Sequence, residues 1–120
     1  MTHGTTPLVE DGLLQLREFA AERDWDQFHT PKNLAIALSV EVAELLEHFQ
    51  WTGDKGPDQF TPPKLVDVSL EAADVLPYLV RLADKLTIDL IQAAMLKIER
   101  NAEKYPVDKA RGSSKKYTDL

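Results

Sequence analysis

Two acidic pairs carry whatever chemistry this chain performs: Glu41-x-x-Glu44 and Glu71-x-x-Asp74, with residues 45–70 between them. Residues three apart are neighbours on a helix, with Cβ atoms roughly 5–6 Å apart, so each pair presents two carboxylates on one face. Their near neighbours include Val42, Leu45, Ala72 and Val75 rather than lysines. Four converging carboxylates repel one another unless a cation joins them. A set of oxygen ligands suits a hard ion, Mg²⁺ or Mn²⁺. A buried, unpaired carboxylate is costly, and few cations are spaced to neutralise all four; Lys97 and Arg81 serve in part. Glu47 continues the Glu44 register and reads equally well as an accessory ligand or a solvated helix residue. A magnesium site in a small helical protein points first to phosphate chemistry.

Other metal and phosphate patterns fit worse. Di-iron bundles use Glu-x-x-His, whereas His48 follows Glu44 by four and nothing matching follows Asp74. Two histidines on one helix, the zinc pattern, are missing, and so is a G-x-x-x-x-G-K loop. A triphosphate would therefore be held through metal and side chains. Trp25 in a loop and Trp51 at the end of a helix read either as core packing or as stacking surfaces for a nucleobase. His29 is a base contact or a loop histidine in water. Lys97 and Asn101 lie one turn apart, and Lys97 is a phosphate ligand or a solvated helix lysine.

The elements that must position these groups are helical. Leu13, Leu16, Phe19 and Ala20 predict a first helix over residues 8–23. Arg23 to His29 breaks the pattern and reads as a loop. Thr30-Pro31 starts a second helix, a threonine cap before a proline that loses no hydrogen bond; it runs to about Gln50. Leu38, Val42, Leu45 and Phe49 form its apolar stripe, with Ala37, Glu41, Glu44 and His48 alongside. Thr52 to Thr61 is a surface loop, and Thr61-Pro62 repeats the start signal. The third helix carries Leu65, Val68, Ala72, Val75, Leu79, Leu82 and Leu86 at alternating spacings of three and four, a bundle seam. Glu71, Asp74, Tyr78 and Arg81 flank that seam. Pro77 costs about 3 kcal/mol inside a helix if unrelieved, so the helix either kinks there or breaks just after Asp74. Asp89 to Gln92 caps a fourth helix whose buried face is Ile91, Ala94, Ile98, Ala102 and Tyr105, and Pro106 stops it. Residues 1–7 and 107–120 are polar and read as flexible tails.

The result is a single all-α domain over residues 1–120, bundle-like with four helices. At 43% apolar residues the chain can build one core but not two. No apolar run reaches the ~18 residues of a membrane span, and the first 20 residues resemble neither a signal nor a transit peptide. The cytoplasm is the default location. The absence of cysteine excludes disulfides and thiolate metal sites. A net charge of −6 argues against binding a nucleic-acid polymer. Helices this apolar in so small a chain also predict a shared face with a second subunit.

Taken together, these residues resemble the all-α MazG-like nucleoside triphosphate pyrophosphohydrolases, and more closely their dCTP pyrophosphatase branch. The resemblance runs over about residues 10–118. It is carried by Arg23-Asp24-Trp25, Gln27-Phe28-His29, Pro31, Asn33-Leu34, Glu41-Val42-Ala43-Glu44-Leu45, Phe49-Gln50-Trp51, Asp74-Val75-Leu76, Tyr78-Leu79, Tyr105-Pro106, Ser113-Ser114 and Lys116-Tyr117. It implies hydrolysis of a deoxynucleoside triphosphate to monophosphate and pyrophosphate, a house-cleaning reaction. It implies that Glu41, Glu44, Glu71 and Asp74 hold Mg²⁺, with Glu41 or Glu44 orienting or deprotonating the water. Tyr78, Lys97 and Asn101 would contact phosphates or sugar, and Trp25, Trp51 and His29 would shape the base pocket. It further implies a homotetramer, or a dimer, whose site borrows from a neighbouring subunit. This chain departs from the family at Pro77, where an aliphatic residue is usual, and at Leu16, where some relatives place a histidine. Two other readings stand beside the dCTP one: a dUTP or broad-range pyrophosphatase, and a helical interaction module without catalysis.

Overall fold

The structure, a computed structural model, describes residues 7–53, 56 and 59–120, with side chains from residue 10 onward. The described residues are helical, joined by turns. The helices are α1 (Pro7–Glu22), α2 (Pro31–Glu47), α3 (Pro62–Lys85), α4 (Leu90–Lys104) and the short α5 (Val107–Ala110), with 3-10 turns at Asp26–Phe28 and Tyr117–Asp119. The tail expected over residues 1–7 lies, apart from Pro7, outside the described residues.

The start signals work as the residues dictate. The Thr30 hydroxyl accepts from the Asn33 N–H at 3.1 Å, and the Thr61 hydroxyl accepts from the Lys64 N–H at 3.4 Å. Asp89 accepts from the Gln92 N–H at 3.0 Å. Each such cap is worth about 1 kcal/mol. α3 is continuous through Pro77, so of the two alternatives, a kink at Pro77 or a break just after Asp74, the break does not occur. α2 stops at Glu47 rather than Gln50. There the chain tightens: Phe49 N–H bonds to Leu46 and Thr52 N–H to Phe49, each three residues back. The Thr52 hydroxyl donates to the same Phe49 carbonyl at 2.9 Å, which turns Trp51 off the helix.

Two helices end in Schellman turns. After α1, Trp25 N–H reaches Ala20 O at 2.9 Å and Asp24 N–H reaches Ala21 O at 3.1 Å, with Asp24 at φ 53°. After α3, Ile88 N–H reaches Ala83 O and Thr87 N–H reaches Asp84 O, with Thr87 at φ 54°. Glycine is the usual residue at that left-handed position.

α2 and α3 form the main packed pair, and α1 lies against α3. The pair runs antiparallel, since His48 near the end of α2 meets Lys64 at the start of α3. Phe49 and Phe60 pack edge to face at the end where the connecting segment joins the two helices, 5.5 Å between centroids. Ala20, Leu34 and Ala83 are the buried apolar residues, and Leu34 is the one large side chain fully enclosed among those described. α4 has no extensive packing against the other helices. Its expected buried face is therefore corrected: Ile91, Ala94, Ile98, Ala102 and Tyr105 are all exposed in the single chain. The polar stretch 107–120 is not featureless. It holds α5, and Tyr117 packs edge-on against Tyr105 with Lys104 Nζ 5.0 Å over its ring.

Candidate active site

The antiparallel α2–α3 pair brings the two acidic motifs together. Glu41 and Glu44 on α2 and Glu71 on α3 each offer an oxygen within 4.8 Å of the others. All three side chains are half-buried. One oxygen of Glu41 and one of Glu71 are buried with no hydrogen-bond partner. Asp74, one turn beyond Glu71, is exposed, but its charge is felt by both Glu41 and Glu71. Burial raises the pKa of Glu41 first, followed by the adjacent Glu44 carboxyl and the charges of Asp74 and Glu71. Glu71 is raised by burial, then by Glu44 and Asp74, with His48 opposing. Proton-hungry carboxylates with orphaned oxygens, in a set made of oxygen donors alone, fit a hard divalent cation. Glu47 is exposed and stands outside this cluster, as a solvated helix residue does.

One pair beside the cluster is not obvious from the motif. Lys64 Nζ donates to His48 Nδ1 at 2.7 Å, both side chains half-buried. His48 lies seven residues after Glu41, and Lys64 seven before Glu71, so heptad spacing along each helix was the available signal. Arg81 is not a counter-charge for the cluster. Its guanidinium is buried and pairs with Asp84 at 3.0 Å and Asp26 at 2.8 Å.

The remaining residues are placed as follows. Tyr78 sits one turn after Asp74 on α3, half-buried. Trp25 follows the α1 Schellman turn and packs edge-on to Phe19 at 5.7 Å, the apolar contact that usually accompanies such a turn. Arg23 lies over the Phe19 ring at 3.7 Å. His29 closes the 3-10 turn with Nδ1 buried and unpartnered. Burial and then the Arg81 charge hold its pKa below the ordinary value, with Lys85 adding and Asp26 opposing. Trp51 is 90% exposed. Lys97 and Asn101 are exposed on α4, which one chain does not pack onto the α2–α3 pair.

The family profile described as "MazG-like family" matches residues 36–120. The chain is 49% identical to dCTP pyrophosphatase 1 of Mus musculus over 116 residues, covering 95% of this chain and 68% of that protein. It is 47% identical to the Homo sapiens protein of the same name, again over 95% of this chain and 68% of the relative. The crystal structure of a pyrophosphatase from Archaeoglobus fulgidus superposes with a TM-score of 0.76 at 44% identity, covering 88% of this chain and 99% of that one. This chain belongs to the MazG-like family.

Proposed function

We propose that the chain hydrolyses dCTP, and base-modified dCTP, to dCMP and pyrophosphate in a Mg²⁺-dependent house-cleaning reaction. The observation that carries this reading is the cluster of acidic side chains across α2 and α3, with buried oxygens on Glu41 and Glu71 that no donor meets. The choice of nucleotide is supported by the dCTP pyrophosphatases that the chain matches along most of its length.

Glu41, Glu44, Glu71 and Asp74 would hold the metal, Mg²⁺ or Mn²⁺. When bound, it would neutralise charge on the phosphates as water attacks. Glu41 or Glu44 orients the attacking water and takes its proton. Water oxygen bonds to the α-phosphorus, the bond to the α–β bridging oxygen breaks, and pyrophosphate leaves. Tyr78 contacts the sugar or phosphates from α3. Lys97 and Asn101 reach the phosphates from α4 of a second copy, since one chain leaves that helix apart. Trp25, Trp51 and His29 shape the base pocket. A homotetramer, or a dimer, completes the site.

The test is turnover of dCTP, dUTP and dTTP with and without Mg²⁺. The reading expects metal-dependent dCMP and a preference for dCTP. Glu44→Ala and Asp74→Ala should each lower turnover by about a hundredfold or more while the helical circular dichroism survives. Full activity in either variant would remove that residue from the site. Equal turnover of all three nucleotides would replace the dCTP assignment with a broad-range one.

A further inference from the structure

Beyond Tyr78, α3 carries a second set of polar groups that the proposed chemistry does not use. Arg81, whose side chain is 6% exposed, donates from Nη2 to Asp26 at 2.8 Å and from Nη1 to Asp84 at 3.0 Å. Lys85 Nζ donates to the same Asp26 oxygen at 2.7 Å. Asp84 in turn accepts both Nε, at 2.9 Å, and Nη2 of Arg17 on α1. One buried guanidinium therefore joins α3 to the start of the 3-10 turn, and its Asp84 partner joins α3 to α1.

The turn so held is the one that presents Trp25 and His29. Asp26 directly follows Trp25, and His29 closes the turn with its inner ring nitrogen buried near the Arg81 charge. A buried ion pair is weak evidence for stability, because well-packed apolar residues of the same volume serve as well. Its fork of charge-assisted hydrogen bonds fixes direction, which apolar contacts do less sharply. The same helix carries Glu71, Asp74 and Tyr78 within the three turns before Arg81.

We propose that Arg81 is a positioning residue for the nucleotide base: through Asp26 and Asp84 it locks the Trp25–His29 turn to α3, so that base contacts and metal-binding carboxylates share one rigid frame. This rests on the pyrophosphohydrolase reading and on Trp25 and His29 serving the base.

The test separates base binding from phosphate binding. Asp26→Asn keeps the side-chain shape and removes its charge. The proposal expects KM for dCTP to rise about fivefold or more, with kcat within about twofold of the parent. Inhibition by inorganic pyrophosphate, which carries no base, should be unchanged. Arg81→Met should act in the same direction, and Arg81→Lys should recover part of the loss, since an ammonium replaces the charge but not the fork. If Arg81→Met fails to fold, Asp26→Asn carries the test, because that side chain is more than half exposed. An unchanged KM in Asp26→Asn would overturn the proposal, as would KM and the inhibition constant of pyrophosphate rising together. A parent protein that turns over no nucleotide would sink the pyrophosphohydrolase reading itself, and the positioning role with it.

Discussion

Glu41 and Glu71 hold their protons above the ordinary carboxylate value of 4.5 because burial and neighbouring negative charge disfavour ionisation. Such a group gives stability that is fully present below its unfolded value and is lost as pH rises through the folded one. The metal-free protein should therefore melt at lower temperature as pH climbs above 4.5. Glu41→Gln should flatten that slope, raise the metal-free Tm at neutral pH and shrink the further rise that Mg²⁺ produces. A lower Tm for the variant without metal would contradict this account of the cluster. At this scale the sequence was largely legible. The i, i+3 spacing and apolar neighbours predicted that all four acidic residues converge; Glu41, Glu44 and Glu71 lie within 4.8 Å of one another, while Asp74 is exposed and outside that group. Arg81 was misread, because its partner Asp26 lies 55 residues away and no local spacing reveals it.

Helices were legible wherever a local rule decides them. Threonine before proline, and Asp89 before Gln92, place the starts of α2, α3 and α4 through bonds of three residues' reach. Ends were harder. α2 was expected to reach Gln50, but side chain and backbone of Thr52 both bond to Phe49 and turn the chain early. The end of α3 holds a testable strain. Thr87 occupies the left-handed position of the Schellman turn at φ 54°, where a β-branched residue loses about 1–2 kcal/mol. Thr87→Gly should recover about 1 kcal/mol, somewhat less than the strain because glycine adds freedom to the unfolded chain. Chemical denaturation checks it, and equal or lower stability would mean the turn tolerates threonine without strain.

At the scale of the whole molecule, the single chain is not a closed bundle. Its radius of gyration is 17.9 Å and its extents are 50 × 38 × 27 Å, whereas a compact domain of this length has a radius of about 14 Å. Trp51 is 90% exposed, and Leu46, Leu70 and Ile98 each exceed 60%. An apolar groove of about 610 Å³ runs between α1 and α3 and reaches Leu90 and Ile91 at the start of α4. Large exposed apolar surfaces occur at protein interfaces and at ligand grooves, and the proposed shared site takes these as contacts between copies of the chain. Light scattering should return a multiple of the 13.5 kDa chain mass, and Ile98→Asp should lower that multiple. A monomer of normal activity would contradict the shared-site account. The face of α4 expected to be buried is exposed in the structure, because the periodicity of its apolar residues does not say what covers them.

The central claim is that the acidic cluster directs water to the α-phosphorus of a nucleoside triphosphate. Hydrolysis of dCTP in ¹⁸O-labelled water with Mg²⁺, followed by mass spectrometry of both products, tests it most directly. The account predicts label in dCMP and none in pyrophosphate. Label in pyrophosphate would place the attack at the β-phosphorus, and dCDP with labelled inorganic phosphate would place it at the γ-phosphorus; either result contradicts the account.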